Sequence, residues 1–531
     1  MLTRGQVPYA ATAISLLMLH SASSLAANCA PYPASVNLGN VTLDNTTTRG
    51  VSLTVGEPGQ HFAFLPQWPL NHTIVFGIDG HCGDSMSEAA CRTFRGGAYD
   101  ESASQTHQDT PTKPYLTEAS PYPFFSWGTD KLTLNSNTTL EDYLIGVPRD
   151  DWGEQGYHPQ AAFGLGRNST ILNALYSAGH IASRSWAMFW GRTGATADAQ
   201  QPGSFVFGGF DRAKTSGENY TDVLNYSNED CPTGMLVTVT DLVLDFTNGT
   251  KASLFDGLRS SAMAACIVPD YPVLMTLPRE PYFNKFQRLT NQFITSRSFG
   301  INYYGMVYDD PSEIYTGDLT ITLSSGFSVR IPNDQLVIPD LVIDESSGAL
   351  QANGSTPELV INSIQLGNAD DLPQLGRQLL SSAYLMVNQD AGTYTFWKAS
   401  LDTDEDLVAV DETNKLVDQF CSAADETPTS PKPSSPPKND DDGLSKGAIA
   451  GIVVGCVAGV AIIAAMVFFI VARKKKLRKI AGAGPATSNP QTAYTGPRNE
   501  LDGYYVSKPQ IPQELLGKPV SRSSAALQEL P

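Results

Sequence analysis

Basic residues are scarce in this chain. Its 531 residues include 35 Lys and Arg against 54 Asp and Glu, a formal net charge of −19 at pH 7. The balance is uneven, because residues 473–531 carry ten basic and four acidic residues, or +6, which leaves −25 for the rest. So acidic a chain would repel a polyanion, and we therefore expect no nucleic-acid partner.

Several signatures of other chemistry are missing as well. No C-x-x-C or paired-histidine spacing occurs, so no metal site is predicted. The serine-hydrolase pattern Gly-x-Ser-x-Gly is also absent. No cofactor is expected. We expect ordinary loop or core roles for the histidines at His61, His72, His81, His107, His158 and His180.

The amino-terminal part of the chain is typical of a secreted glycoprotein. Residues 1–27 combine Arg4, a short apolar run and small residues near Ala26, which predicts a cleaved signal peptide. An even set of cysteines in an oxidising compartment indicates disulfides, and this set is Cys29, Cys82, Cys91, Cys231, Cys266 and Cys421. Glycosylation is predicted at the asparagines of the N-x-S/T motifs, Asn40, Asn45, Asn71, Asn137, Asn168, Asn219, Asn225, Asn248 and Asn353.

The carboxyl-terminal part has the pattern of a membrane anchor. Residues 422–446 are rich in Pro, Ser and Asp, and predict a flexible stalk. Residues 447–472 contain no charge, and the basic cluster that begins at Arg473 places residues 473–531 in the cytoplasm as a disordered tail. We therefore expect a single-pass protein of the plasma membrane with its amino terminus outside. A homodimer could pack through the glycines that recur every four residues, Gly447, Gly451, Gly455 and Gly459.

A regular order of elements occupies residues 163–217. Ser169 or Thr170 can cap a short helix that follows a strand rich in glycine. Residues 186–190 then predict a buried strand, and Phe205 and Phe207 alternate into another. Strand, helix, strand, strand and glycine turn is the predicted order.

This order, with its ending GSFVFGGFDRAKTSG, resembles the pepsin-like aspartic peptidases, and within them the membrane-anchored fungal yapsins. The resemblance covers about residues 51–411. It implies an all-β, bilobal fold with short helices, with residues 28–224 as the first lobe and 225–421 as the second. It also implies a disulfide between Cys82 and Cys91. Of the three pairings open to the other four cysteines, we favour Cys231 with Cys266 and Cys29 with Cys421.

The catalytic residues that this resemblance implies are missing. Such enzymes use two aspartates, each in an Asp-Thr/Ser-Gly turn, and neither Asp-Thr-Gly nor Asp-Ser-Gly occurs in this chain. Gln67 takes the first aspartate position and Pro269 the second. Asp270 is a weak substitute that we interpret as a surface residue of a proline-rich turn, and Asp79 lies too late to serve the first turn.

Two neighbouring features also depart from the family. The substrate-covering flap should lie before Gly128, but its Tyr-Gly-Thr-Gly sequence is replaced from Glu118 onward, with Tyr122 as a possible substitute tyrosine. The glycosylation motif at Asn71 begins four residues after Gln67, where a glycan would crowd the former catalytic turn. Hydrolysis by the usual mechanism is therefore not expected.

Three functions fit these features. The first is a non-catalytic ectodomain whose cleft between the lobes binds a peptide, a wall polymer or a protein. The second is an active membrane-anchored endopeptidase that uses Asp270 with another carboxylate. The third is a surface sensor or adhesion protein with a signalling tail.

Local patterns predict further elements. A hairpin is expected within residues 51–76, and a long strand over residues 235–246. Apolar spacing predicts an amphipathic helix over residues 281–296, which would bury one face made of Phe283, Phe286, Leu289 and Phe293. Shorter strands are predicted at residues 318–323, 328–331 and 359–364.

Overall fold

The computed structural model describes residues 29–68, 70–82, 85–111, 125–149, 159–255, 262–417 and 419–421. The predicted signal peptide, stalk, apolar segment with its four glycines and basic tail all lie outside these ranges. Within them, no helix has both the length and the apolar character needed to cross a bilayer. We call residues 29–224 the first half and residues 225–421 the second half.

The described ranges are mostly β-structure, as predicted. The strands of the first half are β1 (Ala34–Leu43), β2 (Thr46–Val55), β3 (Gln60–Gln67), β4 (Thr73–Ile74), β5 (Gln108–Asp109), β6 (Phe125–Asn135), β7 (Thr138–Pro148), β8 (Ala162–Gly164), β9 (Ser185–Phe189), β10 (Arg192–Thr193), β11 (Gln200–Gln201), β12 (Gly203–Phe207), β13 (Gly209–Asp211) and β14 (Thr215–Val223).

The second half contributes β15 (Leu236–Asp245), β16 (Lys251–Ser253), β17 (Met263–Ile267), β18 (Met275–Pro278), β19 (Ser296–Arg297), β20 (Met306–Val307), β21 (Asp318–Leu323), β22 (Ser328–Ile331), β23 (Val337–Ile343), β24 (Leu350–Leu359), β25 (Ile361–Ile364), β26 (Gln374–Leu375), β27 (Ala383–Asn388), β28 (Thr393–Ala399), β29 (Leu407–Val410) and β30 (Leu416–Val417). The α-helices are α1 (Glu88–Arg95), α2 (Thr170–Ser177), α3 (Asn284–Thr290) and α4 (Asn333–Leu336).

Two large sheets organise these strands. The first has thirteen strands in the order β14-β28-β27-β9-β12-β1-β2-β3-β8-β4-β7-β6-β5. The second has the order β22-β21-β15-β17-β26-β18-β25, with β16 beside β15. Because β27 and β28 come from the second half and pair with β9 and β14, the two halves share the first sheet.

The hairpin predicted within residues 51–76 is present as β2 and β3. Alternate residues of β2 are buried, and Val51 and Leu53 lie opposite Phe64 and Phe62 of β3. This alternation places one apolar face on the core, which stabilises the pairing register. The left-handed backbone at Gly56 (φ 83°) opens the turn between the two strands.

Helix α2 follows its sequence signals closely. The Ser169 side chain caps it by accepting a hydrogen bond from the Leu172 amide. Its buried face consists of Ile171, Leu172 and Leu175, as predicted. Gly179 lies just beyond the end with φ 73°, where a side chain would be strained.

The long amphipathic helix predicted over residues 281–296 is wrong in extent. Helix α3 spans only Asn284–Thr290 and stops where Asn291 adopts a left-handed conformation (φ 56°). Phe283 and Phe286 are buried as expected, but Leu289 and Phe293 are exposed. The spacing of apolar residues does not show that a helix ends at an asparagine, so the predicted apolar face of this helix extends too far.

Three disulfides connect the cysteines of the described ranges. They join Cys82 to Cys91, Cys231 to Cys266 and Cys29 to Cys421, which are the pairings favoured from the sequence. The last one links residues 392 positions apart. It therefore ties the beginning of the described chain to its end.

Candidate functional site

The same strand arrangement occurs once in each half. In the first half, β3 runs parallel to β8, and β4 then returns antiparallel to β8 and parallel to β7. In the second half, β17 runs parallel to β26, and β18 returns antiparallel to β26 and parallel to β25. We call residues 67–68 and 70–72 the first turn and residues 268–274 the second turn. Gln67 and Pro269, where the resemblance predicts the two aspartates, lie at the start of these two turns.

A glycine lies beneath each turn. A Cβ atom on Gly164 would come 2.3 Å from the Leu70 carbonyl oxygen, and one on Gly376 would come 2.2 Å from that of Val273. Real side chains do not approach backbone so closely, so each turn can cross its short strand only above a glycine. The backbone plan of the two turns is therefore the same.

The first turn holds aromatic and amide side chains. Gln67 ends β3 and is half-buried. The indole of Trp68 is buried, packs against Trp186 with ring centroids 6.2 Å apart, and donates a 3.2 Å hydrogen bond to the Pro232 carbonyl oxygen. Trp68 thus ties the first turn to the second half.

The second turn contains a carboxylate that is buried, although the sequence suggested a surface position. Asp270 is only 2% exposed, so our interpretation of it as a surface residue is wrong. Its charge acts on that of Arg377, which follows Gly376 and whose amide donates a 2.8 Å hydrogen bond to the Tyr271 carbonyl. Sequence reasoning missed this because Arg377 is distant in the chain and reaches the turn only through β26.

The electrostatics of Arg377 show how this charge is held. Burial lowers the pKa of Arg377 to about 10, while the negative charge of Asp270 acts in the opposite direction and that of Arg49 adds to the lowering. Both guanidinium groups lie over the ring of Trp190, at 4.9 Å for Arg377 and 5.4 Å for Arg49. Arg377 is therefore charged at neutral pH, and Asp270 lies in its positive field.

Among the other residues that the sequence singled out for this site, only Asp79 is described at a place outside the two turns. Asp79 is exposed and lies 3.2 Å from the imidazole of His81, beside the Cys82–Cys91 disulfide. The flap candidates Glu118 and Tyr122 fall outside the described residues. Asn71, the glycosylation candidate of the first turn, is half-buried and accepts a 2.9 Å hydrogen bond from the Asn168 amide.

A second buried carboxyl group was not foreseen. Glu358 of β24 is fully buried, and Asp340 of β23 is 2% exposed. Burial and the charge of Asp340 raise the pKa of Glu358 well above its usual value. Asp340 accepts hydrogen bonds from the Ser298 hydroxyl (2.6 Å) and the Asn353 amide (2.9 Å). No periodic signal marks either residue, since each is one polar position in an otherwise strand-like segment.

Within the described ranges, no group of three or more His, Cys, Asp or Glu side chains is placed to hold a metal ion. The arrangement at the two turns offers one carboxylate, two guanidinium groups and an aromatic lining. Such a set can position or bind a ligand, but it contains no second carboxylate to share a proton with Asp270.

No protein-family profile matches the chain. The structure is similar to the crystal structure of an aspartic proteinase from Irpex lacteus, at 15% sequence identity and a TM-score of 0.46. The alignment covers 72% of this chain and 100% of that one. A likeness of this size assigns no role to any residue of this chain.

Proposed function

We propose that this chain is a single-pass glycoprotein of the cell surface whose pepsin-like, bilobal ectodomain is catalytically inactive and acts by binding. The ligand of its cleft is a peptide, a wall polymer or a protein partner. Residues 447–472 anchor it in the plasma membrane, and the tail lies in the cytoplasm. The repeated strand arrangement and its two glycine-supported turns support the bilobal part of this proposal.

The state of the two turns carries the proposal of inactivity. Aspartic peptidases need two carboxylates at hydrogen-bond distance that share one proton, so that one activates water while the other protonates the substrate. Here the first turn begins with Gln67, whose amide cannot take either role. Asp270 supplies a buried carboxylate at the second turn, but the described residues of the first turn hold no carboxylate that could share a proton with it.

Packing at the first turn supports the same conclusion. Trp68 is buried between Trp186 and the Pro232 carbonyl, in the place where the turn of an active enzyme presents small polar groups. The first turn thus has a packing role between the two halves.

Exposure of the glycosylation motifs supports the proposed compartment. Of the nine candidate asparagines, all except Asn71 are exposed. Glycan attachment requires access to the amide nitrogen, and these positions provide it. The three disulfides fit the same oxidising route.

A cleavage assay tests the proposal. Purified full-length protein, shown to be folded by its cooperative thermal unfolding, is incubated with an unbiased peptide library from acid to neutral pH, with and without pepstatin. We expect no cleavage above that of a heat-inactivated sample. Pepstatin-sensitive cleavage that is lost in Asp270→Asn but kept in the exposed control Asp79→Asn would show the proposal to be wrong and would establish an unusual dyad.

A further inference from the structure

A cluster of three aromatic rings lies at the tip of the β19–β20 hairpin, in residues 298–305. The rings of Tyr303 and Tyr304 stack with centroids 4.2 Å apart, and Phe299 meets both at 5.9 Å. The Phe299 side chain is 75% exposed. Tyr303 and Tyr304 are half-buried, so they support an exposed ring that offers apolar surface for an interaction.

Buried polar groups hold this loop from below. The Ser298 hydroxyl donates to Asp340 (2.6 Å), the Arg377 guanidinium donates to the Ile301 carbonyl (3.1 Å), and the Gln378 amide donates to Asn302 (3.2 Å). A Cβ atom on Gly300 would come 2.0 Å from the Leu341 carbonyl oxygen, so the loop lies tightly on β23. The rings are thus fixed before any ligand arrives, which reduces the entropy lost on binding.

Arg297 directly precedes this loop in the chain, and a second arginine, Arg279, lies close to it. Burial lowers the pKa of Arg297, Tyr304 raises it, and the charge of Arg279 lowers it, so both groups are within its electrostatic range. Arg297 donates a 2.7 Å hydrogen bond to the Ser363 carbonyl, and its Nε atom has no partner. Neither arginine forms an ion pair within the described ranges, whereas Arg184, Arg212 and Arg330 are each paired with an aspartate.

A small cavity separates the two arginines. Its volume is about 40 Å³, and Arg279, Arg297, Phe283, Gln287, Ile294 and Met306 contribute to its lining. Space of this size accepts about three water molecules, or a carboxylate group in their place. Guanidinium groups bind carboxylates through paired N–H donors.

We infer that the rings of Phe299, Tyr303 and Tyr304, together with Arg279 and Arg297, form a docking surface for a peptide segment of a partner protein. The segment carries a glutamate or aspartate, whose carboxylate enters the cavity between the arginines. A neighbouring aromatic or aliphatic side chain lies on Phe299. Charge complementarity decides in favour of an acidic segment, because these are unneutralised cations on an otherwise acidic chain. The docking surface shares no residue with the two turns, although Tyr271 of the second turn lies within the electrostatic range of Arg297, and the inference does not depend on the cleft being inactive.

Fluorescence anisotropy with synthetic peptides tests this inference on the purified full-length protein. The probe is a labelled peptide in which glutamate alternates with tyrosine. One control peptide has glutamine for glutamate, and another has serine for tyrosine. We expect the probe to bind and the control peptides to bind at least about tenfold more weakly. High ionic strength should lower the affinity for the probe.

Charge variants locate the surface. The double variant Arg279→Gln, Arg297→Gln should bind the probe about tenfold more weakly than the parent, and Phe299→Ser should bind it about fivefold more weakly. Arg288→Gln is the matched control, because it removes the same charge from an exposed position of α3 outside the cavity lining, and it should leave affinity unchanged. The inference fails if the double arginine variant binds like the parent, if the glutamine peptide binds equally well, or if none of the peptides binds while a soluble wall polysaccharide does.

Discussion

The first turn begins with a neutral amide and a buried tryptophan, whereas the second holds a buried aspartate beside an arginine. Both turns nevertheless cross above a glycine with no room for a Cβ atom. The steric requirement of the crossing applies in every state of the protein, while the two carboxylates are needed only for chemistry. The backbone plan of the two turns therefore does not require a carboxylate in each turn.

The largest expected effect comes from the shared feature. Gly164→Ala and Gly376→Ala should each destabilise the fold by more than about 4 kcal/mol or prevent folding, because the new Cβ would overlap backbone that cannot move away. Gly367→Ala is the control, since nothing lies near its Cβ position. Thermal unfolding measures all three. If Gly164→Ala were as stable as the parent while Gly376→Ala failed to fold, the two turns would not be equivalent.

The next largest effect is a loss of stability that we expect at the second turn but not at the first. Arg377→Met leaves Asp270 buried without its counter-charge and should cost about 3 kcal/mol, and Asp270→Asn should also destabilise the fold. The double variant should cost less than the sum, because the two charges interact. Gln67→Ala, at the matching place in the first half, should cost less than about 1 kcal/mol. Denaturant unfolding of the four variants provides the comparison, and strict additivity would show that Asp270 and Arg377 are not coupled.

Buried carboxyl groups in the two halves should respond oppositely to pH. Burial alone would raise the pKa of Asp130 in the first half, but hydrogen bonds from the hydroxyls of Thr106, Tyr99 and Ser104 lower it overall. Its stabilising effect is therefore present above about pH 4, the value for an unfolded aspartate, and is lost as the pH falls through the lower folded pKa. Asp130→Asn should thus be least harmful in acid.

The pH dependence of stability that we expect from Glu358, in the second half, has the opposite sign. Its raised pKa means that the folded state binds a proton that the unfolded state releases above about pH 4, so stability falls as pH rises from there toward the folded pKa. Glu358→Gln should therefore be more stable than the parent at neutral pH by about 1 kcal/mol, with the gain vanishing in acid. Unfolding temperatures recorded across this range measure both variants. Parallel pH profiles for Asp130→Asn and Glu358→Gln would contradict the assignment.

The smallest expected effect is a test of restoration. Gln67→Asp places a carboxylate at the first turn, where the side chain is half-buried, and should change stability by less than about 1 kcal/mol. We expect no peptide cleavage, since the buried Trp68 still follows the new carboxylate at the first turn. Cleavage by Gln67→Asp, absent from the matched Gln67→Asn, would show that a single substitution separates this protein from an active enzyme.

Local sequence signals predicted much of the fold. The hairpin of β2 and β3, the capped helix α2 and the strands β15, β21 and β22 follow directly from alternation, capping and spacing. Each depends on neighbours within a few residues, which a sequence displays. For the cysteines other than Cys82 and Cys91, the sequence favours one set of pairs but leaves two others open, because pairing is a property of the folded chain.

Features that depend on distant contacts could not be predicted. Burial of Asp270 and its neighbour Arg377 arises from the parallel pairing of β17 with β26, whose residues lie more than a hundred positions apart. The early end of α3 depends on one left-handed asparagine. The Asp340–Glu358 pair and the aromatic loop above it arise where four strands meet, and no short segment of the sequence indicates them.

The bond between Cys29 and Cys421 has a mechanical consequence. A tether that leaves the described chain beyond Cys421 would pull on the last strand contacts, and an opposing pull at the amino terminus would act on Cys29. The two Cα atoms are 4.8 Å apart and joined through sulfur, so tension applied between these ends passes through a covalent link. While the bond is intact, this tension is borne by the disulfide and not by the sheets between the two cysteines. After reduction, the same tension would act on the strands at both ends of the described chain and would unfold them first.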